Sequence, residues 1–194
     1  MKKALSILVL VFLSISIFAA PFGLKMGMTL EDITEVCNGK EPKYAGNNCY
    51  YFSPVKKHPL FKTYIAFVDS EKGLYCIHAR TGNIKTNDYG TETKNAFAEI
   101  KDRVAKTYGT PKMIDKIEPN ALFDEDYYWL YALERGARTY AAVWQSNSKN
   151  TLKDNLSYII ISASGKGFDK IGWIILQYNF SNKKAVEDSQ DDVF

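Results

Sequence analysis

Residues 156–180 read LSYIIISASGKGFDKIGWIILQYNF. Two runs rich in β-branched and aromatic residues, 156–163 and 171–180, flank the polar, glycine-containing stretch 164–170. Such residues suit a pleated, half-buried surface, so the pattern predicts a long antiparallel hairpin. In its second run Ile174, Leu176, Tyr178 and Phe180 recur at a period of two and make one continuous apolar face. A sheet with one apolar face needs helices to cover it.

The flanking sequence supplies them. Upstream of the hairpin, 139–145 reads as a strand with Tyr140, Ala142 and Trp144 on one face, and 124–136 as a short helix carrying Trp129, Leu130 and Leu133. A longer helix starts at Thr91, with Phe97, Ile100, Val104 and Tyr108 as its stripe and Gly109 and Pro111 as its stop. Residues 81–90 are polar and turn-rich and mark a boundary between halves. Before it, Thr29 and Asp32 have the spacing of a capping box for a helix bearing Leu30, Ile33, Val36 and Cys37, which ends at Gly39. Residues 40–62 are loop-rich around a short strand at 49–52, and 63–68 and 74–80 form a second hairpin. The order helix, strands, helix, strands, with hairpins for connections, predicts an α+β fold. Its expected form is two tandem helix-plus-β-hairpin units, 20–88 and 89–181, forming one antiparallel sheet with the helices packed on one face. Residues 182–194 read as a disordered acidic tail.

Residues 1–19 have the pattern of a secretory signal peptide: Lys2 and Lys3, an apolar centre, then Ala19 and Ala20. The apolar run falls short of the roughly 20 residues a membrane span needs, and no cysteine follows it to carry a lipid. The expected location is therefore periplasmic or secreted. The chain has 25 basic and 22 acidic side chains, a formal charge of +3. Removing the two leader lysines leaves a nearly neutral chain without a basic block, which argues against nucleic acid as a partner.

The segment Leu24-Lys25-Met26-Gly27-Met28-Thr29-Leu30-Glu31-Asp32-Ile33 resembles the opening of the BamE-like (SmpA/OmlA) envelope proteins and of each repeat of the secreted β-lactamase inhibitor proteins. The second helix ends in Tyr108-Gly109-Thr110-Pro111, similar to the Gly-x-Pro stop of the first family. It opens with Tyr89-Gly90-Thr91 in place of Gly-Met-Thr, and the lipid-anchoring cysteine of the BamE-like proteins has no counterpart. The resemblance implies a helix on an antiparallel sheet and a habit of binding other proteins; it names no partner.

Chemistry-bearing residues are few. Cys37 and Cys49 bracket the turn after the first helix, and in an oxidising compartment a bridge between them is the expected disulfide. Another pairing, or three reduced buried thiols, are the alternatives. Cys76 and His78 share one strand face and are the single pair that could support a small hydrolase-type site. No third ligand accompanies them, so neither a metal nor any other cofactor is expected. The dense aromatics Tyr127, Tyr128, Trp129 and Tyr131, flanked by Asp124, Glu125 and Asp126, could fill the core or anchor a partner. The expected function is a non-catalytic, protein-binding (adaptor or inhibitor-like) module that engages another envelope or extracellular protein. Its rivals are an enzyme using Cys76 and His78, and a carrier of a small apolar ligand.

Overall fold

A computed structural model describes residues 20–119, 121–147 and 151–191; the expected leader at 1–19 lies outside them. Among the described residues nine strands form one antiparallel sheet: β1 (Lys43–Gly46), β2 (Cys49–Tyr51), β3 (Phe61–Asp69), β4 (Gly73–Thr81), β5 (Ile84–Lys85), β6 (Lys112–Ile117), β7 (Arg138–Gln145), β8 (Leu156–Lys166) and β9 (Ile171–Phe180). Their spatial order is β1-β2-β3-β4-β9-β8-β7-β6, with β5 also on β9. The chain is mixed α+β, and four α-helices accompany the sheet: α1 (Leu30–Val36), α2 (Thr91–Tyr108), α3 (Trp129–Glu134) and α4 (Lys183–Asp191).

The hairpin at 156–180 forms over its full length, down to the pair Lys166↔Ile171 beside the turn. Ile174, Leu176, Tyr178 and Phe180 face the core, with Ile159 and Ile161 of β8 and Ala142 and Trp144 of β7 beside them. On the other side of the seam, Ile77↔Tyr178 and Ala79↔Leu176 carry the same face from β9 into β4. One hydrophobic cluster thus runs from Ile33 of α1 through the sheet to Phe97 and Ile100 of α2 and Trp129 and Leu130 near the start of α3.

α1 begins with the expected capping box: Thr29 Oγ1 accepts from the Asp32 amide at 3.2 Å, and Asp32 Oδ2 accepts from the Thr29 amide at 2.8 Å. The Thr29 amide, with the Thr29 hydroxyl donating to the same Oδ2 at 2.9 Å, holds the Asp32 carboxyl below its usual range. α2 begins behind Gly90, at φ +68°, and its Thr91 amide donates to Asn87 Oδ1.

Two expectations are corrected. Residues 183–191 of the expected disordered tail form a helix, α4, whose Val186 is buried. α4 also lies on the face opposite the other helices: Lys183 Nζ donates to Asn179 Oδ1 and Tyr158 Oη, which neighbour the core-facing Tyr178 and Ile159 and so point the other way. β1, β5 and β6 form where no strand is predicted. β6 is held by Arg138 on β7, which donates through Nε and Nη2 to the two carboxylate oxygens of Asp115 at 2.7 and 2.8 Å.

Candidate functional site

The expected aromatic group divides in two. Trp129 is 0% exposed and belongs to the core, against Tyr140 on one side and the backbone of Gly90 on another. It is corrected from a candidate contact to a packing residue. Tyr127 is 47% exposed, Tyr128 is exposed, and Tyr131 is half-buried. The 3-10 turn Asp126–Tyr128 causes the split, because it turns the two tyrosines outward just before α3 aims Trp129 and Leu130 at the core.

Three further rings complete a surface strip. Tyr89 meets Tyr127 edge-on at 5.5 Å, and Tyr127 meets Tyr128 at 5.2 Å. Phe123 lies 5.4 Å from Tyr128 and 5.6 Å from Tyr131, and Tyr131 meets Phe168 at 5.0 Å. Six rings from three separate stretches of chain therefore touch in series, and Phe168, at the tip of the β8–β9 turn, is 78% exposed. Tyr89 and Phe168 are not legible as members, since each is a lone aromatic in a polar stretch, and Phe123 is set apart from the 127–131 group by Asp124, Glu125 and Asp126. Asp124, Glu125 and Asp126 are exposed beside the strip. Glu134 Oε2 accepts from the Gly167 amide at 2.7 Å, tying the Phe168 turn to α3.

The cysteines are all free, so the expected Cys37–Cys49 bridge is corrected. The reason is topological. Cys37 packs in the core cluster, whereas Cys49 is in register with Phe67 and through it with Cys76. That row runs on to Asn179 and Tyr158, the two residues to which Lys183 of α4 donates. Phe67 also separates Cys49 from Cys76 by a full strand, beyond the roughly 7 Å limit for bridging Cα atoms.

Cys76 and His78 share a face as expected, but the thiol donates to Asn179 Oδ1 at 3.2 Å. Burial pushes the Cys76 thiol up to about 12, and burial together with Lys183 pushes the His78 imidazole down to about 4. His78 meets Phe67 at a tilt, with ring centroids 4.5 Å apart. These shifts favour the protonated thiol and the neutral imidazole over a thiolate–imidazolium pair. Among the described residues no group of three or more His, Cys, Asp or Glu could hold a metal ion, and no helix is long and apolar enough to cross a membrane.

A cleft of about 840 Å³ opens on the helix side of the sheet. Leu176 and Tyr178 of β9 line it, with Ile100 and Val104 of α2 and Val36 of α1. Phe22, held at φ +55°, packs edge-on against Phe61, Tyr64 and Tyr178 at its N-terminal side. The strip lies at the N-terminal end of α2 and the cleft along its C-terminal half, so the two are separate. No family model matches the chain, and no curated protein or solved structure matches it at a significant level.

Proposed function

We propose that this is an exported, non-catalytic protein-binding module whose docking surface is the aromatic strip Tyr89–Tyr127–Tyr128–Phe123–Tyr131–Phe168. The carrying observation is that six rings touch in series and four of them, Tyr89, Tyr127, Tyr128 and Phe168, are exposed, Phe168 by 78%. Rings that bury large area at low entropic cost are the anchors of protein interfaces, and an exposed aromatic run on one molecule marks a contact site. The acidic residues beside it favour a partner that presents Lys or Arg, which would gain cation–π as well as ionic contacts. The partner class is another periplasmic or secreted protein.

The strand order supports a tandem reading, in which residues 20–88 and 89–181 are two helix-plus-sheet units joined along β4 and β9. That layout is the one implied by the resemblance to the BamE-like and β-lactamase inhibitor families, and both imply protein binding. The hydrogen bond from Cys76 to Asn179 disfavours the hydrolase alternative. The small apolar-ligand carrier is favoured by one observation, the 840 Å³ cleft, and is compatible with docking elsewhere.

A photo-crosslinking amino acid placed at position 127 or 168 tests the docking surface. The expected result is one dominant crosslinked protein from both positions, lost when Tyr128→Ser is added. The exposed Met113 on β6 serves as the control position. Equal crosslinking from position 113 would overturn the assignment.

A further inference from the structure

We propose that the cleft binds a single-chain amphiphile with an anionic headgroup, its chain against Ile100, Val104 and Leu176 and its head at His58, Arg103 and Lys56. This rests on the carrier reading of the same cleft and adds the chemistry of the ligand. The volume of about 840 Å³ is within the usual range for small-molecule sites, and the floor is apolar.

The head end follows from His58. Its Nδ1 accepts from the Leu60 amide at 3.3 Å, which places the hydrogen of the neutral ring on Nε2. That Nε2 is buried and has no hydrogen-bond partner among the described residues. A buried donor without an acceptor is costly, so a ligand acceptor at this edge recovers free energy that an apolar ligand could not. Burial holds the imidazole pKa below its ordinary value, so the donor stays neutral and supplies no charge itself.

The charge comes from the neighbours. Lys25, Lys56 and Arg103 line the cleft, against the single carboxylate of Asp154, which already accepts from Tyr108 Oη at 2.9 Å. Arg103 lies near enough to His58 to act on its titration and is steadied on α2 by Glu99, at 3.0 Å. An anionic head therefore meets the His58 donor with Arg103, itself paired with Glu99, close by and Lys56 two residues along the chain, on a largely apolar lining.

Calorimetric titration of the protein expressed from its full sequence tests this, using dodecanoate, dodecyl phosphate, dodecanol and dodecyltrimethylammonium below their micelle-forming concentrations. The expected result is one-to-one binding of at least one of the two anions, with dodecanol about tenfold weaker and the ammonium weaker still. Preference between carboxylate and phosphate identifies the source of the head. His58→Phe should weaken the anion about tenfold and dodecanol less. Lys56→Gln with Arg103→Gln, both exposed changes, should remove the preference for anions, with the melting temperature lowered no further than Glu99→Gln lowers it, since that change breaks the same surface pair. Thr107→Trp, exposed at the cleft's edge, should block every chain. Dodecanol binding as tightly as the anions would overturn the head assignment and leave the carrier reading standing. Binding of no probe, or binding indifferent to Thr107→Trp, would overturn both.

Discussion

Gly90 does two things that no other residue could do together. It holds φ +68° at the start of α2, and the Cβ of any replacement would be driven into the Trp129 ring. Gly90→Ala therefore combines left-handed strain with overpacking and should destabilise the protein by about 2–4 kcal/mol. A lowered denaturant midpoint with an unchanged slope checks it. His78 sets a pH dependence of definite sign. Its folded-state pKa is lowered from 6.5 to about 4 by burial and then by Lys183, so the unfolded chain takes up the proton first. The contribution to stability is fully present above pH 6.5, declines as the pH falls, and is exhausted near pH 4, amounting to about 3 kcal/mol. His78→Gln should flatten unfolding free energy across that window, and an undiminished slope would reject the assignment.

At the scale of elements, what could be read was what is buried on one face. β8, β9 and α2 carry unbroken apolar periodicity, and they form where the pattern puts them. β1 and β6 are edge strands whose side chains are almost all exposed or half-buried, so selection for a core left no alternation in Lys43–Gly46 or Lys112–Ile117. α4 reads as a tail because eight of its nine residues are other than large and apolar; its buried anchor, Val186, and the Lys183 contacts to Tyr158 and Asn179 come from tertiary structure. The aromatic site was half legible: local density exposed Tyr127, Tyr128 and Tyr131, while Phe168 joins only because a β-turn far along the chain folds against α3. α4 also gives an element-scale test, because it lies over the Cys76 row. Truncation after Asn182 should raise alkylation of Cys76 in the folded protein by at least on the order of a hundredfold, as burial no longer suppresses the thiolate. Cys37, on the other face, should remain protected.

At the scale of the molecule, the question is whether the two halves of the sheet stand or fall together. They meet along β4 and β9 through five paired positions, Cys76↔Asn179 to Arg80↔Ile175, and the β5 pairs add to this seam. The core does not stop there: Tyr64, Ala66 and Ile77 from one half and Leu176, Ile159 and Phe97 from the other belong to one cluster. Buried Thr81 crosses the seam as well, its Oγ1 accepting from the Ile174 amide at 3.0 Å. A continuous core predicts one cooperative transition rather than two. The chain provides its own reporters, since Trp129, Trp144 and Trp173 all fall in the second half while buried Cys37 marks the first. Tryptophan fluorescence and pulsed alkylation of Cys37 should therefore give coincident midpoints in denaturant. An earlier midpoint for Cys37 would mean that the first half opens alone, with the β4–β9 seam acting as a boundary between domains rather than as the centre of one fold.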